Sequence, residues 1–124
     1  SDNWMKASIE YENEEYQRLG SVVTNNGYSD WATHDIPSSI KEMWYRLSRR
    51  GSDYYIETSP DGTTFHQMRT FHLDKGDGEI SFGIYAASPV DHSFTAQFSE
   101  MEVGECKWQP WSAEDTGFKQ TANK

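Results

Sequence analysis

Residues 44–59 read WYRLSRRGSDYYIETS, two stretches in which side chains of different character alternate, joined by the dipeptide Gly-Ser. A two-residue loop with glycine first favours a type II′ turn, whose twist matches that of two antiparallel strands. Such a turn sets Arg50 opposite Asp53, and every further pair along the hairpin follows from this register. The stretch therefore predicts an antiparallel hairpin with strands at residues 43–50 and 53–59.

The predicted register divides the side chains of the hairpin between two faces. Leu47 faces Ile56 on one side, which we expect to be buried. The other side is polar and aromatic, with Trp44, Arg46, Tyr55 and Glu57. Because sugar C–H groups stack on aromatic rings and sugar hydroxyls bond to charged groups, such a face is typical of a carbohydrate-binding sandwich. The alternative is a solvated face with a cross-strand ion pair that contributes about 0.2–1 kcal/mol.

Alternation of apolar and polar residues recurs along the chain, whereas no window of residues has the spacing of an amphipathic helix. In residues 4–11, for example, Met5 and Ala7 fall on the same side. Turn-forming dipeptides such as Asn26-Gly27 separate the alternating stretches. We predict seven strands, at residues 4–11, 18–25, 43–50, 53–59, 64–72, 80–87 and 94–98. Short antiparallel strands with turns between them indicate a β-sandwich.

The stretch at residues 30–41 contains Pro37 and is predicted to be a long loop. Near its start it carries Asp30 and Trp31, a carboxylate and an aromatic ring beside a turn. A connection of this length can arch over a sheet face, so we expect it to contribute to ligand specificity. The alternative is that Trp31 closes the end of the sandwich while Asp30 caps backbone amides.

A chain of 124 residues predicts one domain. We place that domain at residues 1–109, followed by a loosely ordered polar tail at residues 110–124. Phe, Tyr and Trp together number 18, against 13 Ile, Leu and Val residues. This excess suits either a sheet surface that binds a flat ligand or the aromatic core of a β-sandwich.

The charge and the apolar content argue against several kinds of partner. The net charge is −9, and no basic patch offsets it, which argues against nucleic acid and anionic lipid. No apolar run approaches the roughly 20 residues of a membrane span. The chain has one cysteine, Cys106, and no charged leader before an apolar stretch, so we expect a cytoplasmic protein.

Catalytic and metal-binding patterns are weak in this sequence. The two carboxyl groups of a glycosidase lie roughly 5–5.5 Å apart in retaining enzymes and 6.5–9.5 Å apart in inverting ones. The predicted hairpin separates Glu42 from Glu57 by about 13 Å. The four histidines are spread too widely for a zinc site, and Cys106 has no evident histidine base. We therefore predict no catalytic residue, no metal site and no cofactor.

Several motifs resemble those of one known family. They are WMKASIEY at residues 4–11, LGSVVTN at 19–25, GYSDWAT at 27–33, KEMWYRLSRRGSD at 41–53 and FGIYAASP at 82–89. Together they are similar to the DUF1349 family, whose fungal members are called regulation-of-enolase protein 1, although Ser8 stands where that family usually has glycine. The resemblance covers about residues 4 to 108 and implies a concanavalin A-like jelly-roll sandwich, the fold of legume lectins and many glucanases. It implies little about activity, because a fold alone does not determine a function.

The chain departs from the pattern of that family at its beginning. Members typically carry several further strands before the segment that matches residues 4–11. A jelly roll needs two covered sheets, so the loss of strands would leave an unpaired edge and an exposed apolar strip. We therefore predict an all-β, antiparallel jelly-roll sandwich that is incomplete. It would be either a fragment of a longer protein or a homo-oligomer in which a second copy covers the exposed strip.

Three hypotheses on function follow. The first is a non-catalytic binding module that recognises a small carbohydrate or glycan through Asp30, Trp31, Trp44, Arg46, Tyr55 and Glu57. The second is a cytoplasmic interaction protein that regulates a metabolic enzyme, as the name of the fungal relatives suggests. The third is a glycoside hydrolase, which the spacing of the carboxylates disfavours.

Overall fold

The computed structural model describes residues 2–87 and 95–109, and every regular element in this part of the chain is a β-strand. The strands are β1 (Trp4–Tyr11), β2 (Tyr16–Asn25), β3 (Tyr28–Pro37), β4 (Trp44–Arg50), β5 (Asp53–Ser59) and β6 (His66–His72). They form two three-stranded antiparallel sheets: a first sheet in the order β1-β2-β3 and a second sheet in the order β4-β5-β6. The prediction of an all-β antiparallel sandwich is confirmed.

The predicted hairpin forms with the predicted register. Arg50 pairs with Asp53, and farther along the hairpin Leu47 pairs with Ile56. Gly51 has a φ of 62°, whereas the residue after it has a negative φ, which is the pattern of a type II′ turn. Among the other predicted strands, β1 has the predicted bounds, and β2 and β6 start two residues away from the predicted position.

The stretch predicted to be a long loop is a strand instead. β3 pairs with β2 along its whole length, from Asn25 opposite Tyr28 to Tyr16 opposite Pro37. The preceding turn has two successive residues with positive φ, as a type I′ turn requires, and this turn sends the chain straight back along β2. Pro37 is the last residue of the strand, where a missing N–H costs no ladder bond. The prediction of a loop over residues 30–41 was therefore wrong.

The two sheets pack on each other through a small apolar core. Val23 of the first sheet belongs to the same buried cluster as Tyr54, Ile56, Phe71 and Leu73 from the second sheet and the segment that follows it. The rings of Tyr54 and Phe71 stack with centroids 5.2 Å apart and an angle of 10° between their planes. Partly buried side chains pack around this cluster, namely Met5, Ala7, Met68 and Ile80. The core thus joins β1 and β2 to β5 and β6.

The inward side of β4 is only partly covered. Leu47, which we predicted to be buried opposite Ile56, is 46% exposed. β4 is an edge strand and contributes no residue to the core cluster. Tyr45 lies on the same side, and burial of its hydroxyl, together with the nearby Tyr85 phenol, raises the pKa of Tyr45 to about 12. An apolar strip remains exposed along this strand in the described structure.

The strands predicted at residues 80–87 and 94–98 do not form within the described residues, where 80–87 and 95–98 belong to no strand. A strand is held by hydrogen bonds to a neighbouring strand, and none of the described strands pairs with these residues. Ile80 nevertheless packs against the core. The polar tail predicted at residues 110–124 lies outside the described residues.

The turn that follows β5 is built around one carboxylate. Asp61 Oδ1 accepts hydrogen bonds from the backbone N–H groups of Thr63 and Thr64, at 2.8 and 3.0 Å, and from the Ser59 hydroxyl at 2.8 Å. These bonds favour the ionised carboxylate and lower the pKa of Asp61 to about 2. The Ser59 hydroxyl oxygen in turn accepts from the N–H of Gly62 at 2.9 Å. The turn is therefore held by local polar contacts.

We predict that Gly62→Ala destabilises the protein more than Gly51→Ala. Both glycines have positive φ, 76° and 62°, so each substitution carries a backbone cost of about 1–2 kcal/mol. A Cβ on Gly62 would also lie 2.6 Å from the Trp44 ring, whereas a Cβ on Gly51 has no atom within 4 Å. Urea denaturation followed by circular dichroism measures both costs. Equal costs for the two variants would contradict this role of Gly62.

We further predict that the contribution of Asp61 to the stability of the protein is lost only at strongly acidic pH. Its pKa falls from 3.8 to about 2 on folding, so the contribution is complete above pH 3.8 and is lost as the pH falls through about 2. Wild type should exceed Asp61→Asn in stability at neutral pH, and the gap should narrow across that interval. Denaturant midpoints measured at several pH values test this, and a gap that does not change with pH would count against it.

Candidate functional site

The outward side of the second sheet carries the polar-aromatic face, which we define as Trp44, Arg46, Tyr55 and Glu57. β4 and β5 place these side chains on one side because Arg46 lies directly opposite Glu57 and Tyr55 opposite Ser48. Side chains two residues apart on a strand share a face, so Trp44 joins Arg46. The structure thus brings together four of the six residues predicted to bind a ligand.

Arg46 and Glu57 form a bidentate ion pair across the two strands. Arg46 Nε donates to Glu57 Oε2 at 2.8 Å, and Nη2 donates to Oε1 at 3.0 Å. Hydrogen bonding to Glu57 raises the pKa of Arg46, and burial opposes this only in part. The Glu57 side chain is 13% exposed, whereas that of Arg46 is 53% exposed. Two parallel bonds fix the plane of the guanidinium, so the pair forms an oriented polar surface.

Phe65 lies against the guanidinium of Arg46. The Cζ atom of Arg46 is 4.0 Å from the centroid of the Phe65 ring, which is the geometry of a cation–π contact. Phe65 directly precedes β6 and is brought there by the turn built around Asp61. Phe65 was not predicted to be part of the face, although the Ser-Pro-Asp-Gly stretch at residues 59–62 is typical of a turn that could position it.

Trp108 lies against the other end of the polar-aromatic face. Its ring centroid is 5.5 Å from that of Tyr55, with the planes tilted by 33°. Its backbone carbonyl accepts from Arg50 Nε at 2.9 Å, which anchors the segment to β4. Burial, and secondarily the charge of Glu57, raise the pKa of Tyr55. No local signal in the sequence links Trp108 with Tyr55, because the two residues are far apart in the chain.

The two remaining predicted residues lie on the first sheet and point to opposite sides of it. Asp30 pairs with Val23, a residue of the inter-sheet core, whereas Trp31 pairs with Val22 on the outward side. Adjacent residues of a strand face opposite ways, so these two cannot act on one ligand as a loop would have allowed. The expected grouping of Asp30 and Trp31 depended on the loop and does not occur.

Asp30 joins the two sheets at their junction. Arg69 Nη2 of β6 lies 2.6 Å from Asp30 Oδ2, and Arg69 Nη1 donates to the backbone carbonyl of Asp30 at 3.2 Å. The Arg69 side chain is 14% exposed, so its charge is paired where it is largely buried. The ion pair borders a cleft of about 320 Å³, also lined by Tyr28 and His72. Asp30 is thus committed to an inter-sheet contact.

Within the part of the chain that the structure describes, no three His, Cys, Asp or Glu side chains are placed to hold a metal ion. Nor does any described segment form a helix long and apolar enough to cross a membrane.

The two antiparallel sheets and the outward polar-aromatic face define an all-β protein of the β-sandwich class. The family described as "Protein of unknown function (DUF1349)" matches residues 1–106, and the chain belongs to that family. No curated protein matches the chain. Among solved structures, the chain is similar to a functionally unknown protein from Saccharomyces cerevisiae, with 30% sequence identity and a TM-score of 0.51. That match covers 58% of this chain and 38% of the yeast chain.

We predict a measurable coupling energy between Arg46 and Glu57. A double-mutant cycle with Arg46→Gln and Glu57→Gln should give a value near the top of the range of about 0.2–1 kcal/mol, because the bonds are short and bidentate. Arg18 and Asp35 provide a matched control, since they also face each other across two strands but approach only to 3.9 Å. Their coupling should be close to zero. Equal coupling in the two cycles would refute the special character of the Arg46–Glu57 pair.

Proposed function

We propose that this chain is a non-catalytic binding module that recognises a carbohydrate on its polar-aromatic face. The observation that carries the proposal is the Arg46–Glu57 pair, oriented by two hydrogen bonds and set among aromatic rings on an outward sheet face. The pair offers donor and acceptor groups in one plane. A neighbouring pair of sugar hydroxyls can bond to such a plane, while the rings at its edges take the apolar sides of the sugar.

The Arg46–Glu57 ion pair retains hydrogen-bonding groups that a ligand could use. Arg46 uses Nε and Nη2 for Glu57, and its Nη1 has no hydrogen-bond partner among the described residues. A carboxylate oxygen that accepts one hydrogen bond can accept another. Because the Arg46 side chain is 53% exposed, a ligand can reach its free edge without breaking the ion pair.

The same geometry favours binding over glycoside hydrolysis. A glycosidase needs one carboxyl group that donates a proton and a second that acts as nucleophile or base. Among the four residues of the polar-aromatic face, only Glu57 carries a carboxyl group, and both of its oxygens accept hydrogen bonds from Arg46. Binding without turnover is therefore the function that this face supports better.

Self-association belongs to the same proposal. The inward side of β4 exposes Tyr45 and Leu47, which are 43% and 46% exposed. An exposed apolar strip next to an unpaired strand edge suits contact with a second copy of the chain. We also retain the expectation of a cytoplasmic protein, and regulation of a metabolic enzyme as the alternative function.

Titration with a panel of neutral mono- and disaccharides, followed by tryptophan fluorescence and calorimetry, tests the proposed function. Trp44 and Trp108 border the face, so ligand binding should change their emission. Arg46→Gln should weaken binding about tenfold, the equivalent of roughly 1.4 kcal/mol, which matches the loss of one hydrogen bond from a charged donor. Arg18→Gln, which changes a charge on the first sheet, should leave binding unaltered.

Two results would contradict the proposal. One is an unchanged signal with every sugar at millimolar concentration. The other is binding that Arg46→Gln and Arg18→Gln reduce equally, since that would report a general effect of charge. Circular dichroism of each variant confirms that the fold is retained.

A further inference from the structure

The outward side of the first sheet exposes two tryptophans. We define the tryptophan face as Trp4, Lys6, Thr24, Val22, Ser29 and Trp31, which alternate with inward residues along β1, β2 and β3. Trp31 is 62% exposed and Trp4 is 41% exposed, although each is a large side chain that could have contributed to a core. Neither indole N–H has a hydrogen-bond partner among the described residues. Both rings are thus available to a ligand.

A glycine allows the ring of Trp31 to extend along the sheet. A Cβ on Gly20 would lie 3.4 Å from the indole nitrogen of Trp31 and 3.1 Å from Thr33 Cγ2. The indole therefore reaches over the bare backbone of β2. Val22, directly opposite Trp31 in the register, is only 9% exposed. One part of the ring covers the sheet, and the remainder is presented to solvent.

The two rings form separate stacking positions. Trp4 lies in the register row of Thr24 and Ser29, whereas Trp31 lies in the next outward row, with Val22 and Lys6. Trp4 and Trp31 are separated by two strand spacings across the sheet and by two residues along the strands. Their Cα atoms therefore lie about 12 Å apart. The aromatic contacts of the described residues do not include a pair between these rings. A ligand that stacks on both must be extended.

Polar groups lie between the two rings. The hydroxyls of Thr24 and Ser29 are hydrogen-bonded to each other at 2.7 Å. Lys6 approaches Glu10 only to 3.8 Å and is 36% exposed, so its ammonium remains open to other acceptors. Thr24 is buried at 3% exposure, so the groups open to a ligand are the exposed Ser29 hydroxyl and the Lys6 ammonium. Polar groups flanked by rings match a ligand that alternates apolar faces with hydroxyls.

Among extended ligands, a neutral glycan fits this face best. A single-stranded nucleic acid also stacks on aromatic rings, but its phosphates would be repelled by a chain with a net charge of −9. An apolar protein surface would have to bury the Lys6 ammonium that lies between the rings. A glycan needs no charge complement and can bond to those groups.

We infer that the tryptophan face is a second binding surface, suited to an extended neutral glycan chain of at least disaccharide length that stacks on Trp4 and Trp31. The inference shares only the class of ligand with the proposed function. It concerns a different sheet, so either site can fail while the other stands.

The test is calorimetric titration of the full chain with cello-oligosaccharides and laminari-oligosaccharides, from disaccharide to hexasaccharide. Affinity should increase with chain length until both rings are occupied. Trp4→Ala and Trp31→Ala should each weaken binding of the longer oligosaccharides about tenfold, and Trp31→Tyr, which keeps a ring, should lose less. Tyr28→Ala is the matched control, because Tyr28 is 85% exposed on the same strand as Trp31 but on the opposite side.

The outcomes separate the two sites. Binding that Trp4→Ala and Trp31→Ala leave unchanged, but that Arg46→Gln abolishes, would overturn this inference and preserve the proposed function. Loss of oligosaccharide binding in the two tryptophan variants, with Arg46→Gln unaffected, would support the inference. No binding of any oligosaccharide to wild type would overturn the inference, whereas the proposed function is decided separately by the panel of mono- and disaccharides. Tighter binding of a single-stranded DNA homopolymer than of any glycan would also overturn the inference alone. Circular dichroism of each variant identifies a change in fold.

Discussion

The register of the β4–β5 hairpin is the constraint on which the second sheet depends. Gly51 alone supplies the positive φ that closes the two-residue turn, and the turn decides which residues face each other. A slip of one residue would turn Ile56 outward and separate Arg46 from Glu57. The same register of β4 and β5 therefore determines both the core contact with the first sheet and the ion pair on the outward face.

Because the apolar core is small, polar contacts at the junction of the sheets carry part of the inter-sheet attachment. Asn25 Nδ2 donates to the carbonyl of His72, and Asn25 Oδ1 accepts from the N–H of Asp74. Asn26 Nδ2 donates to Asp74 Oδ2. These bonds tie the β2–β3 turn to the end of β6, and the Arg69–Asp30 pair acts beside them. The positions of the two outward faces relative to each other rest on both kinds of contact.

The parts of the structure that could be predicted are those set by local pattern. The hairpin dipeptides and strict alternation gave β1, β4 and β5 within one residue, and with them the polar-aromatic face. β3 was not predicted as a strand because Pro37 indicated a loop, although proline is tolerated at the end of a strand. Trp108 could not be assigned to the face, since its contact with Tyr55 is made between distant parts of the chain. Contacts between distant segments depend on tertiary packing, which the alternation of apolar and polar residues does not predict.

Most of the described aromatic residues lie outside the apolar core. Among the described residues, only Tyr54 and Phe71 are both aromatic and buried in the apolar cluster. Trp31 and Trp4 are exposed on one sheet, and on the other the Phe65 ring lies over the guanidinium of Arg46. A domain gains stability from a ring only to the extent that the ring leaves water, so exposed rings contribute little to folding. A ligand that covered these rings would remove them from water, and this is the physical argument behind the proposal that the two outward faces bind ligands.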